Sequence, residues 1–160
     1  MIKVSDTPGL ADYLTSFGVR VYFKLGEAYI DDSDESAIDG FDSDEYLRQA
    51  KIKELAEYRW SVETGGINGI RTDRQSQAML AGAHQALVSG FVQSVDWKGQ
   101  DGWQSVTLEE LAPIAAAVTQ HVQRCFSAEK KVYDEIILVD AEALPAIDVR
   151  YMFDQYMTED

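Results

Sequence analysis

The sequence predicts an α+β fold in which helices pack with short antiparallel hairpins and a small strand/helix segment stands at the amino terminus. Two observations predict it. Leu111, Ile114, Ala115, Val118, Val122, Cys125 and Phe126 recur every three or four residues, the spacing of one buried helix face. Elsewhere, short apolar runs are broken by turn sequences such as Asn68-Gly69, which suit the tightest hairpin loops. A chain of 160 residues is long enough for one good core and argues against two independent domains.

The first element is a short helix capped by Ser5 or Asp6, with Pro8 in its first turn, Leu10, Tyr13, Leu14 and Phe17 on its apolar face and Gly18 as its stop. Val19, Val21, Phe23 and Leu25 then alternate with Arg20, Tyr22 and Lys24, a strand pattern. Gly26-Glu27 turns it into a second strand from Ala28 to Ile30. From Asp31 to Glu45, eight of fifteen residues are acidic, so the segment is expected to repel itself and remain a solvated linker. It is no EF-hand: counting from Asp32 or Asp34, the required sixth-position glycine is Ala37 or Asp39.

Ser43 is expected to cap a helix reaching about Glu63, with Gly65-Gly66 as its end. Ile67-Asn68-Gly69-Ile70 reads as a minimal type I′ hairpin. Thr72 and Gln75 read as a capping box for the next helix, whose apolar face is Met79, Ala83, Ala86 and Leu87 and whose stop is Gly90. A second hairpin follows, with Trp97 and Trp103 expected to pack across its strands beside a Lys-Gly-Gln-Asp-Gly turn. Thr107 and Glu110 form a further capping box, opening the long helix. The organisation expected is a strand/helix segment with its acidic linker over 1–42, a helical domain over 43–138 and an aromatic tail over 139–160.

Charge and composition exclude several functions. A formal charge of −14 opposes nucleic-acid binding and adsorption to an anionic membrane. A single cysteine, Cys125, rules out an internal disulfide, and its place on an apolar stripe reads as an inert thiol. No apolar run is long enough to span a bilayer, and synthesis in a reducing cytoplasm is expected. His84 and His121 lack a ligand at the spacing that puts two on one helix face. No metal, cofactor or catalytic group is expected.

The densest polar stretch runs from Tyr58 to Gln77. It reads as a structural junction of Arg59, Trp60, Glu63, Gly65, Gly66, Thr72, Asp73, Arg74 and Gln75. Its charges, Arg71 included, are expected to tie two helix ends to the turn, with Asp73 favoured at a helix amino terminus. A small hydrolase built on Arg71 and Asp73 is the enzymatic alternative, and it lacks a nucleophile or base to accompany them.

The words RW-x-V-E-T-G-G-I at Arg59 to Ile67 and T-D-R-Q-S-Q-A at Thr72 to Ala78 carry a resemblance. Val95 to Lys98, Val106 to Leu108 and H-V-Q-x-C-F-x-x-E at His121 to Glu129 follow in the same order. Over residues 50–135 the chain resembles a small domain of unknown function found in tailed-bacteriophage tail-fibre and tail-assembly proteins. Relatives carry a longer segment where Ile67 to Arg71 forms a bare turn here. The resemblance implies a non-enzymatic structural component of a phage tail, at the baseplate or tail fibre, made in the host cytoplasm and carried in the virion. The alternative is a tail-fibre assembly chaperone absent from the mature particle. Partners would be other tail proteins or further copies of the chain, with neither nucleic acid nor membrane involved. The apolar carboxy terminus is the expected attachment segment, through Leu144, Ile147, Tyr151, Met152, Phe153, Tyr156 and Met157.

Overall fold

The computed structural model describes residues 1–99 and 102–159. The chain is α+β, and the described residues form five α-helices and two small antiparallel sheets. They divide into two compact units, Met1–Lys53 with Glu135–Ile147, and Glu54–Asp134 with Asp148–Asp160. These bounds differ from the division expected near residues 42 and 138. Helices α2 (Ser43–Thr64) and α4 (Leu108–Ile136) each contribute to both units, because a long helix has no reason to stop where composition changes.

In the first unit, β1 (Ile2–Lys3), β2 (Tyr22–Lys24) and β3 (Glu27–Ile30) form a sheet in the order β1-β3-β2. Ile2 pairs with Ile30, and Phe23 with Ala28. The turn joining β2 to β3 has Leu25 and Gly26 at its centre, both at positive φ, the type I′ geometry that matches strand twist. It lies one residue earlier than expected, and Leu25 is left 96 % exposed. Helix α1 (Leu10–Ser16) buries Leu10 and Leu14 against Val4, Ala28 and Ile30, whereas Phe17 and Phe23 face solvent. Its first turn begins at Gly9 with no side-chain cap, so neither Ser5 nor Asp6 has the expected role. Gly9 sits at φ +80°, and a Cβ there would meet the Tyr46 ring at 2.1 Å. Both the backbone angle and the ring demand glycine.

The acidic segment is folded, not a loose linker. Asp32–Ala37 is a 3-10 helix, and Ala37, Ile38 and Phe41 pack on the core of this unit. The terminal amine pairs with Asp32 at 2.6 Å, and the Tyr22 hydroxyl donates to Asp31 at 3.0 Å. Three apolar side chains anchor what the charge count alone reads as repulsive. The cap of α2 is Asp42, which accepts from the backbone N–H groups of Asp44 and Glu45; Ser43 is the first helical residue.

In the second unit, α3 (Arg74–Val88) and the hairpin of β4 (Ser94–Gly99) and β5 (Gly102–Thr107) lie on α4. Leu80, Leu87, Val106, Leu111 and Val118 form the core, with Ile67, Ile70 and Trp97 packed around them. Leu111, Val118, Cys125 and Val132 are all buried, so the periodic stripe is the inward face. Pro113 is the sixth residue of α4, past the first turn, so the helix forgoes the hydrogen bond that an N–H there would give to the Glu109 carbonyl. Thr107 makes half of the expected capping box: its backbone N–H donates to Glu110 at 2.9 Å, and its hydroxyl donates to the same carboxylate oxygen at 3.0 Å. Met79 is exposed and Leu80 is buried in its stead.

The expected Trp97–Trp103 packing does not occur. The register pairs Trp97 with Gln104 and Lys98 with Trp103, and adjacent positions on a strand face opposite ways. Trp97 turns to the core, and Trp103 turns outward beneath the Lys98 ammonium, 5.6 Å from the ring centre. Within the expected Lys-Gly-Gln-Asp-Gly turn, Gln100 and Asp101 lie outside the described residues.

The carboxy terminus also differs from expectation. Helix α5 (Val149–Thr158) starts on Asp148, whose side chain accepts from the N–H groups of Arg150 and Tyr151. Val149 and Phe153 are fully buried in the second unit, and Leu144 is fully buried in the first. Of the seven residues read as an attachment surface, Leu144 and Phe153 are core, Ile147, Met152, Tyr156 and Met157 are half-buried, and Tyr151 is exposed. The segment packs on its own chain because a one-turn apolar spacing, Val149 to Phe153, fits a helix face.

Candidate functional site

Helix α2 ends at Thr64, and glycines follow because the chain must reverse at once: Gly66 adopts φ +89°. Asn68 and Gly69 both have positive φ, and Ile67 and Ile70 exchange two backbone hydrogen bonds of 3.0 and 2.7 Å. This is the type I′ turn that Asn-Gly favours. It returns the chain so that Thr72 lies against the glycines. The Thr72 hydroxyl is buried and accepts from the Gly66 N–H at 2.9 Å.

Thr72 is therefore a clasp across the loop and not the helix cap. The cap is Asp73, one residue on, which accepts from the Ser76 N–H at 3.0 Å and from the Ser76 hydroxyl at 2.7 Å. These two bonds hold the Asp73 carboxyl below its ordinary pKa, the hydroxyl's being the larger influence. Gln75 points to solvent. The glutamine that matters is Gln77, which donates to the Thr72 carbonyl at 2.6 Å and to Glu63 at 3.2 Å.

Glu63 is the centre of the junction and has no exposed surface. A carboxylate buried without partners would be very unfavourable, and here it has three. The Arg59 guanidinium, one helical turn earlier, pairs with Oε2. The Arg74 guanidinium reaches Oε1 at 3.0 Å and Oε2 at 3.3 Å. Gln77 supplies the third contact. Arg59 is itself held from α4, its Nε donating to Glu129 at 3.0 Å and its guanidinium lying 4.6 Å from the Phe126 ring centre. Trp60 stacks beneath Arg74 at 4.9 Å. Arg71, grouped with these charges in the sequence, stands outside and pairs with Asp73 at 3.0 Å.

His121 and Cys125 continue the same side of α4. The His121 Nε2 lies 3.1 Å from the Val62 carbonyl, one of the α2 end carbonyls that have no partner within the helix. This carbonyl accepts from the Gly65 N–H at 3.4 Å, and donation from Nε2 would add a second bond. Burial pushes the Cys125 thiol up to about 11, and the Glu63 charge adds to the shift. The thiol of the native protein should therefore resist a disulfide-exchange reagent at neutral pH and react promptly in denaturant. Equal rates in the two conditions would contradict its burial.

The structure thus brings together Arg59, Trp60, Glu63, Gly66, Thr72, Asp73, Arg74 and Gly65, and leaves Gln75 out. Residue-type reasoning missed Gln77, Phe126 and Glu129 as partners. The signal was present in the spacing of His121, Cys125, Phe126 and Glu129, one to two turns apart on a helix. An open groove is lined by residues from Thr64 to Asp73. The Thr72 hydroxyl and Asp73 carboxylate on it are both engaged. Among the described residues, no group of three or more His, Cys, Asp or Glu side chains could hold a metal ion, and no helix is long and apolar enough to cross a membrane.

Fold and site together define a class: an α+β domain built on a buried carboxylate whose acceptors are taken up by its own chain. The chain belongs to the family described as Domain of unknown function (DUF4376), whose model matches residues 46–151. That span holds the whole junction, and the sheet of β1, β2 and β3 lies outside it. No curated protein and no solved structure matches the chain.

Proposed function

We propose that this chain is a non-enzymatic structural component of a bacteriophage tail, in the baseplate or tail-fibre region, and that it works through protein–protein contacts. The observation that carries the non-enzymatic part is the occupancy of the junction. Glu63 accepts from Arg59, Arg74 and Gln77 and has no exposed surface, so it has no access to a substrate. Catalysis needs a base or nucleophile within reach of a bound reactant, and the Thr72 hydroxyl and Asp73 carboxylate on the nearby groove are held by their neighbours. The tail setting rests on the ordered words from Arg59 to Glu129 that resemble tail-fibre and tail-assembly proteins.

A tail-fibre assembly chaperone is the rival reading. A chaperone would use an exposed apolar terminus to shield a partner, as a structural component would use one to attach; Leu144, Val149 and Phe153 are buried, so the terminus favours neither reading. Mass spectrometry of purified particles separates the two. A structural component should be present in a fixed ratio to the known tail proteins, and its absence, or a trace amount, would overturn the proposal.

A further inference from the structure

Asn68 is the one asparagine of the chain, and Gly69 follows it. An asparagine side chain is attacked most readily by the backbone nitrogen of a following glycine: the attack closes a five-membered imide, and no Cβ crowds the approach. Both residues are exposed, and both line the open groove from Thr64 to Asp73, so water and hydroxide reach the peptide that joins them. Even the space where a Gly69 Cβ would stand is open, with nothing within 4 Å.

The turn holds this pair one rotation away from the reactive arrangement. It is type I′, with Asn68 at φ +48° and Gly69 at φ +79°. Turning the peptide plane between them gives the type II′ turn, in which only the first residue keeps positive φ and its ψ is about −120°. That ψ brings the Gly69 nitrogen beside the Asn68 side-chain carbonyl carbon. The two bonds between Ile67 and Ile70 close either turn. Among the described residues, neither the Gly69 N–H nor the Asn68 main-chain carbonyl has a hydrogen-bond partner, so the rotation breaks none. Gly69 changes the sign of its φ, which glycine does at little cost. The flipped backbone is strained for asparagine, which makes it a minor state and the reaction slow.

We propose that Asn68 is a self-modification site, deamidated by the Gly69 backbone nitrogen, and that the iso-aspartyl product loosens the junction around Glu63. The Gly69 nitrogen gives its proton to hydroxide and bonds to the Asn68 Cγ. The Cγ–Nδ2 bond breaks, and Nδ2 takes a proton from water and leaves as ammonia. Water then opens the imide. Cleavage at Cγ restores the original backbone with Asp at position 68. Cleavage at the main-chain carbonyl carbon frees that carbon as a carboxylate and leaves the chain running through Cβ and Cγ. This second product adds one backbone atom to a two-residue loop, so Ile67 and Ile70 cannot keep both bonds in register. The chain then shifts at Thr72, which accepts from the Gly66 N–H and, through its carbonyl, from Gln77, a partner of Glu63.

Incubation of the full chain in heavy-oxygen water, at neutral and mildly alkaline pH, tests this. Trypsin releases residues 60–71, WSVETGGINGIR, which contain no glutamine, so a mass gain in this peptide reports Asn68 alone. The gain should be that of NH2 replaced by OH carrying the heavy oxygen, and its rate should rise with pH. The folded chain should convert within about tenfold of the rate of the free synthetic peptide, since the reactive turn is a minor state of the native one. A folded chain that stays unmodified while the peptide converts would overturn the proposal. Asn68→Gln should abolish the gain, because its ring would be six-membered. Gly69→Ala should slow conversion by roughly tenfold or more, since a Cβ crowds the attacking nitrogen and is strained at φ +79°; a rate unchanged in both variants would also overturn it. The iso-aspartyl fraction, separated by ion exchange, should melt on the order of 5 °C below the parent. Asn68→Asp, which adds the charge on an unaltered backbone and suits the same turn, should melt within about 2 °C of it. An iso-aspartyl fraction that melts with the parent would show that the junction is not loosened.

Discussion

Glu63→Ala is expected to lower the unfolding free energy by about 3 kcal/mol, the scale for removing one partner of a buried ion pair. The loss comes mainly from Arg59, which has little contact with water and would be left with Glu129 and the Phe126 face. Arg74 is half exposed, so water can replace its lost acceptor, and its share is small. Gln77 loses one of its two acceptors and keeps the Thr72 carbonyl. Glu63→Gln, which retains an acceptor oxygen and removes the charge, should cost less. Urea denaturation reads the difference as a shift in midpoint at unchanged slope. A loss below about 1 kcal/mol for the Ala variant would mean that the carboxylate does not hold the junction together.

Phe153→Ala is expected to cost about 4 kcal/mol, within the range for emptying a buried aromatic site. Phe153 has no exposed surface, and its ring meets the Tyr58 ring edge-on with centres 5.4 Å apart. Tyr151→Ala, on the exposed side of the same helix, should change stability by no more than about 0.5 kcal/mol. The contrast tests whether α5 belongs to the chain's own core. Comparable effects from the two substitutions, measured by thermal or urea denaturation, would show that the helix is not seated as described. Deleting residues from Val149 onward should likewise destabilise the second unit, the opposite of what a detachable attachment tail would do.

The sequence by itself determined what depends on near neighbours along the chain. The periodic stripe of α4, the α+β class, the Asn68-Gly69 turn and the reversal at Gly65-Gly66 follow from helix periodicity and from which residues tolerate positive φ. Choices between adjacent residues were not legible. Thr72 and Asp73 are both good caps, and Gln75 and Gln77 are both reasonable partners; only the return of the chain past Gly66 and Glu63 decides which of each pair is used. Trp97 and Trp103 could share a face in one register and not in the next, and the pairing of Lys98 with Trp103 settled it. The tertiary structure also decided the fate of the acidic segment and of the carboxy terminus. Hydrophobicity states that Ala37, Ile38, Leu144, Val149 and Phe153 favour burial, but it carries no information on which surface will cover them. That depends on contacts between residues far apart in the chain, which form only when the elements pack.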